Sequence, residues 1–153
     1  MYKATDIANW FLTAVDRESG DSMTHLKLQK LLYYAQAWTL VITGEPLFEE
    51  EIQAWMHGPV VPEVYNKYSG SSFEEIKAPN HDECVDIDSE HEEILEQVMD
   101  NYGIFEAKYL ENLTHSEDPW RIARGNIPKE EKCTNVITKE SMKEFYSKQR
   151  EGV

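Results

Sequence analysis

The stretch HLKLQKLLYYAQAWTLVIT, residues 25–43, constrains the fold more than any other part of this sequence. Thr24 before it is a good N-cap, and Gly44 after it suits the left-handed position that closes a helix. Leu28, Leu31, Leu32, Ala35 and Trp38 form one apolar stripe at helical spacing. Leu26, Tyr33, Ala37, Leu40 and Val41 make most of the remaining surface apolar too. A helix apolar nearly all round belongs in the middle of a fold, wrapped by other elements. The chain is therefore expected to be mainly α, a compact helical bundle built around this segment. Gln29 and Gln36 lie seven apart on one face, so each must find partners inside or reach the surface.

The wrapping elements can be read from caps and periodicity. Thr5 or Asp6 caps a first helix that runs to about Glu18, with Ile7, Trp10, Phe11, Ala14 and Val15 inward. Ile52, Ala54 and Met56 alternate, which predicts a short extended or hairpin segment near 47–57. Pro62 fits the first position of a short helix closed by Gly70. Residues 71–88 read as a mobile polar surface loop. Ser89 caps a helix to Tyr102, with Glu92 completing a capping box. A further helix covers Ala107 to His115. Pro119 opens a turn, DPWRIAR, that brings Trp120 and Ile122 near the core. Thr138 caps a last helix to about Gln149, with Met142, Phe145 and Tyr146 inward. This makes about six helices. With no repeat and no composition break, residues 1–153 read as a single domain.

Charge narrows the function classes. The net charge is −14, and it is concentrated. Residues 71–101 carry eleven acids and only Lys77, and residues 44–70 carry five acids and Lys67. Residues 1–43 and 102–153 are each balanced. Nucleic-acid binding needs clustered Lys and Arg, and so does adsorption to an anionic membrane. Neither partner suits this chain. A basic protein partner does, and Glu74, Glu75, Asp82 and Glu83 are the acids expected to steer it. The alternative is an acidic face that serves solubility alone. No apolar run reaches membrane-spanning length, and MYKATDIANW does not resemble a signal peptide. Cys84 and Cys133 form no metal or disulfide pattern, so a reducing, cytoplasmic setting is expected.

Catalytic patterns are missing from the sequence. His25, His57, His81, His91 and His115 never pair at helical ligand spacing. There is no nucleophile elbow, no glycine-rich phosphate cradle and no cysteine in a catalytic context. The expectation is a protein with no catalytic residue, no metal and no cofactor. The rival is a metal-dependent hydrolase using His57, His115 and nearby carboxylates. One stretch stands out, QAWMHGPVVPEVY at 53–65. Gly58-Pro59 makes a tight turn and Pro62 fixes the next helix start. Trp55 and Tyr65 read as anchors of this corner, and Met56, His57, Val60 and Val61 as an exposed edge for recognition. The stretch reads equally as a packed structural turn.

Several motifs together resemble the Panacea domain, the SocA-like antitoxin family, seen also as phage-associated GepA-type proteins. They are KLQKLLYY at Lys27–Tyr34, the G-x-PLF turn at Gly44–Phe48, AW-x-x-GPV-x-P-x-VY at Ala54–Tyr65, and LTHSEDPWRIAR at 113–124. In the last, His115, Pro119 and Trp120 carry the likeness. The resemblance spans about residues 4–148. It implies a mostly helical domain that acts as the antitoxin of a bacterial or prophage toxin–antitoxin pair. Such a domain would bind its cognate toxin directly, through residues here expected to include Trp55, Tyr65, His115 and Trp120 beside the exposed edge. In SocA-like cases the family also implies an adaptor role, delivering the toxin to a ClpXP-type protease.

Overall fold

A computed structural model describes residues 1–68 and 75–151 of the chain. The expected helix end at Gly70 and the steering residue Glu74 lie outside the described residues. Ten elements follow in order: α1 (Ala4–Ala14), α2 (His25–Thr43), β1 (Ile52–Trp55), β2 (Gly58–Val60), α3 (Pro62–Tyr68), α4 (Ser89–Tyr102), α5 (Ala107–Ser116), α6 (Asp118–Arg124), β3 (Val136–Ile137) and α7 (Lys139–Glu151). The fold is helical with a small antiparallel sheet ordered β2-β1-β3.

Helix α2 is the central element. Thr24 Oγ1 accepts the Lys27 N–H at 3.3 Å, and Gly44, at φ 81°, closes the other end. Helices α1, α3, α4, α5 and α7 and strand β2 all pack on α2. The two glutamines explain how the sheet region joins it. Gln36 donates from Nε2 to the Phe48 carbonyl at 2.8 Å and accepts the Leu47 N–H at 2.7 Å. Gln29 Oε1 accepts the Val61 N–H at 2.8 Å. One helix face therefore staples both ends of the segment between the PLF turn and the corner.

The expected extended segment is a two-residue hairpin. Trp55 pairs with Gly58 and Ala54 with Pro59, while Ile52 pairs with Ile137 on the other side. Pro59 is tolerated because β2 is an edge strand with no ladder partner beyond it. Helix α3 starts at Pro62 as expected.

Several expectations need correction, among them Ile122, which stands 65% exposed on α6 and not near the core. Helix α1 begins at Ala4 with Lys3 at its cap position, two or three residues early. Asp6 Oδ2 reaches back to the Lys3 N–H at 3.2 Å, so the acid supports the start from within the first turn. The helix stops at Ala14, where Val15 is extended, and Arg17–Ser19 form a separate 3-10 turn capped by Asp16. Helix α4 is capped by Asp88, which accepts the His91 N–H at 3.0 Å, so Ser89 is its first residue. DPWRIAR is a seventh helix among the described residues, with Pro119 in its first turn, where a missing N–H costs nothing.

Within 75–88 the chain is tied down. Ile76 donates its N–H to the Met23 carbonyl at 2.8 Å, and Asn9 Nδ2 donates to the Glu83 carbonyl at 3.2 Å.

Candidate functional site: the hairpin corner and its buried polar floor

The corner forms because a two-residue turn must reverse the chain directly above α2. Gly58 has φ +112°, a backbone conformation open to glycine and strained for other residues. A Cβ there would lie 2.6 Å from Lys30 Cε and 3.1 Å from Thr114 Oγ1. The GPV element is thus dictated twice, by the turn and by the lysine beneath it.

Lys30 has no exposed surface. Its Nζ donates to the Leu26 carbonyl at 3.4 Å. Burial pulls the ammonium down to about 8, against the opposing charge of Glu111. Glu111 is the hub of this floor. Its Oε1 lies 3.2 Å from His57 Nδ1, and its Oε2 accepts from Lys108 Nζ at 3.0 Å. Burial pushes the Glu111 carboxyl up, but the Lys108 hydrogen bond and the nearby cationic groups outweigh it, and the net shift is downward.

An aromatic collar surrounds the floor. Trp55 leans on Tyr65 at 4.7 Å between ring centroids, and Tyr65 meets His25 edge-on at 4.7 Å. His115 stacks on Trp120 at 3.9 Å. Its ring also hydrogen-bonds the Met56 backbone, and burial holds it down at about 4, so it is neutral at pH 7. Trp120 Nε1 donates to the Trp55 carbonyl at 2.8 Å. Arg124, itself buried, donates to the Ala54 carbonyl at 2.9 Å and to the carbonyls of Pro128 and Glu131, and its guanidinium lies over Trp120.

The structure brings Trp55, Met56, His57, Tyr65, His115 and Trp120 into one neighbourhood and corrects the expected exposure of others. Val60 is 3% exposed and Val61 fully buried. Both face the core, because the hairpin lies flat on α2 and Gln29 holds the Val61 backbone. Trp120, at 5%, is also interior. Met56 and His57, at the turn, keep exposed side chains. Of the steering acids, Glu75 pairs with Arg17 at 3.1 Å, while Asp82 and Glu83 are exposed.

Lys30, His25, Gln29, Glu111 and Arg124 belong to the site and were not anticipated as such. One signal was visible for Lys30: a lone charge next to Gln29 on a helix that has to be buried. Lys30 and His25, sealed from solvent, cannot meet a substrate as acid, base or nucleophile. Among the described residues no group of three His, Cys, Asp or Glu side chains is placed to hold a metal ion. No described helix is long and apolar enough to cross a membrane.

A second surface lies on the other side of α2. Trp38, Ile42, Ile94, Gln97, Val98, Asn101 and Tyr102 line an open groove of about 400 Å³ between α2 and α4.

Antitoxin SocA of Caulobacter vibrioides (strain NA1000 / CB15N) is 32% identical over 117 residues, covering 65% of this chain and 59% of the relative. The chain thus spans somewhat over half the length of that curated relative. No solved structure matches it significantly. Residues 28–121, most of the chain from α2 through the start of α6, match the family described as antitoxin SocA-like, Panacea domain. This chain belongs to the SocA-like Panacea domain family.

Proposed function

We propose that this domain is an antitoxin that neutralises a cognate toxin by occupying a surface of it, without turnover of its own. Family membership across residues 28–121 carries the reading. The sealing of Lys30 and His25 supports it, since neither can meet a substrate. The partner is expected to be basic, and the meeting place the bacterial cytoplasm. The 71–101 acidity raises the encounter rate of such a partner, and Glu74, Glu75, Asp82 and Glu83 contribute to it. A ClpXP-type protease as a further partner follows from the SocA likeness alone.

The test uses the reading frame beside this gene. Expressed alone it should stop growth, and co-expression of this chain should restore it. An inactivated form of the neighbour should copurify with the chain at fixed stoichiometry. Restored growth without a complex, or turnover of a small substrate that disappears with His57→Ala or His115→Ala, would overturn the reading.

A further inference from the structure

The groove between α2 and α4 joins uncompensated negative charge to a small apolar opening, exposed Ile42 and half-buried Trp38, over a floor in which Ile94 and Val98 are already buried. Ile94, Gln97, Val98 and Asn101 recur at helical spacing along α4 and form one wall. Trp38 and Ile42, one turn apart on α2, form the other. Ile42 is 42% exposed, unusual for the side chain of a helix this deep in the fold. The floor is stiff, because Trp38 Nε1 donates to Tyr102 Oη at 2.9 Å and Tyr102 stacks on Tyr34 at 3.9 Å. Preformed apolar walls of this kind bind without an ordering cost.

The rim is acidic. Helix α4 carries Glu90, Glu92, Glu93, Glu96 and Asp100 and no Lys or Arg. Glu92 accepts from Trp10 Nε1. Glu90, Glu93, Glu96 and Asp100 are exposed and make no ion pair within 4 Å among the described residues. Glu90 stands one turn before Ile94 on the groove stripe, and Glu93 and Asp100, seven apart, run along its outer side. A second copy of this chain would bring the same negative wall against this one, and like charges repel. An extended strand would find no free sheet edge here, since both walls are helices.

We propose that this groove seats a basic amphipathic helix of the partner polypeptide. Its apolar side chains pack on Ile42 and Trp38, and its Lys or Arg residues face Glu90, Glu93 and Asp100. The mode is a helix laid into a groove, with apolar anchors at helical spacing. The inference rests on the antitoxin reading and specifies the face it uses.

Two probes test it. The first is a pair of synthetic 18-residue helical peptides of one apolar pattern, Leu/Lys and Leu/Glu, titrated while following the Trp38 indole N–H resonance. The Leu/Lys peptide should shift that resonance and bind more weakly as salt rises, and the Leu/Glu peptide should not bind. The second is the inactivated product of the adjacent reading frame. Ile42→Gln should weaken its binding at least fivefold and Asn101→Lys at least tenfold, with melting temperatures kept within a few degrees. Ile122→Gln, an exposed isoleucine on α6, should change it less than twofold. A wild-type complex that ignores both groove substitutions overturns the groove and leaves the antitoxin reading standing. No wild-type complex at all overturns both. A Leu/Glu peptide that binds as well as Leu/Lys, or a self-association lost with Ile42→Gln, overturns the basic occupant.

Discussion

Two buried polar clusters sit side by side along α2, one around Tyr33 and Tyr34 and one around His25, Gln29 and Lys30, and they solve the same problem differently. In the first, Tyr34 and Tyr146 both donate to Glu117 Oε1, at 2.7 and 2.8 Å, and Tyr33 and Tyr146 share a 3.0 Å hydrogen bond. The rings of Tyr33, Tyr34 and Tyr146 meet edge-on, so the hydroxyls converge while the faces pack. In the second, beneath the hairpin, both ring nitrogens of His25, Gln29 Nε2, His115 Nε2 and Arg124 Nε have no protein hydrogen-bond partner among the described residues. Buried polar groups with partners fix one arrangement, and those without them cost stability. The difference teaches that the tyrosine cluster ties α2 and α7 to the junction of α5 and α6 through converging hydroxyls, whereas the corner is held by backbone hydrogen bonds, ring packing and the charges around Glu111.

The sharpest way to break the comparison is to remove the acceptor of the satisfied cluster. Glu117→Ala strands two buried hydroxyls and should lose about 3–4 kcal/mol in urea unfolding. Glu117→Gln keeps one oxygen and should stay within about 1 kcal/mol of wild type. Burial raises the Glu117 carboxyl, against the tyrosine hydrogen bonds that lower it. The native state therefore holds its proton to higher pH than the unfolded chain does, and Glu117 costs more as pH rises through that value. Gln removes this dependence.

In the second cluster the hairpin turn is the most sensitive point. Gly58→Ala combines positive-φ strain with the contact on Lys30 and should lose about 2–3 kcal/mol. In a Lys30→Ala background the contact disappears and the strain remains, so the two changes should not be additive. Equal losses in both backgrounds would remove Lys30 as a reason for the glycine.

Lys30 should show the opposite sign. Its native ammonium titrates near 8, against about 10.4 in an unfolded chain. Between those values the unfolded chain binds more protons, so the penalty is full below 8 and fades as pH rises. Lys30→Met should stabilise by about 2–3 kcal/mol at pH 7, with the gain shrinking above pH 8. A destabilised Lys30→Met would mean the ammonium is a net support of the corner. His115 gives the smallest effect. Its native value near 4 lies below the ordinary 6.5, so it contributes stability above 6.5 that is lost as pH falls toward 4. His115→Phe should remove about 1 kcal/mol of that acid sensitivity at pH 5, allowing for its partial exposure.

The central helix was legible because its signals are local: Thr24 and Gly44 bound it, and nearly all of its surface is apolar. The hairpin and α3 were legible from Gly58, Pro59 and Pro62. The slips have local causes as well. Asp88 and Ser89 are adjacent and both cap well, so neighbours alone decide between them, and Tyr2 Oη donates to Asp88 Oδ2 at 2.6 Å. DPWRIAR is too short to show a period, and Arg124 is fixed in part by the Ala54 carbonyl, far away in sequence.

For the candidate site the sequence marked the corner and misjudged its faces. Alternation along 52–61 says that side chains differ in direction without saying which direction is inward. Docking on α2 answered that, through Gln29 on Val61 and Lys30 beneath Gly58. The groove at Ile42 lay beyond sequence reasoning altogether, because it exists only between two helices some fifty residues apart. By itself the sequence determined the family, the buried helix and the place of the turns, since caps, periods and glycine conformations act over a few residues. The tertiary structure alone decided which polar groups are satisfied, which are sealed and which apolar surface stays open, since those depend on what distant segments bring alongside.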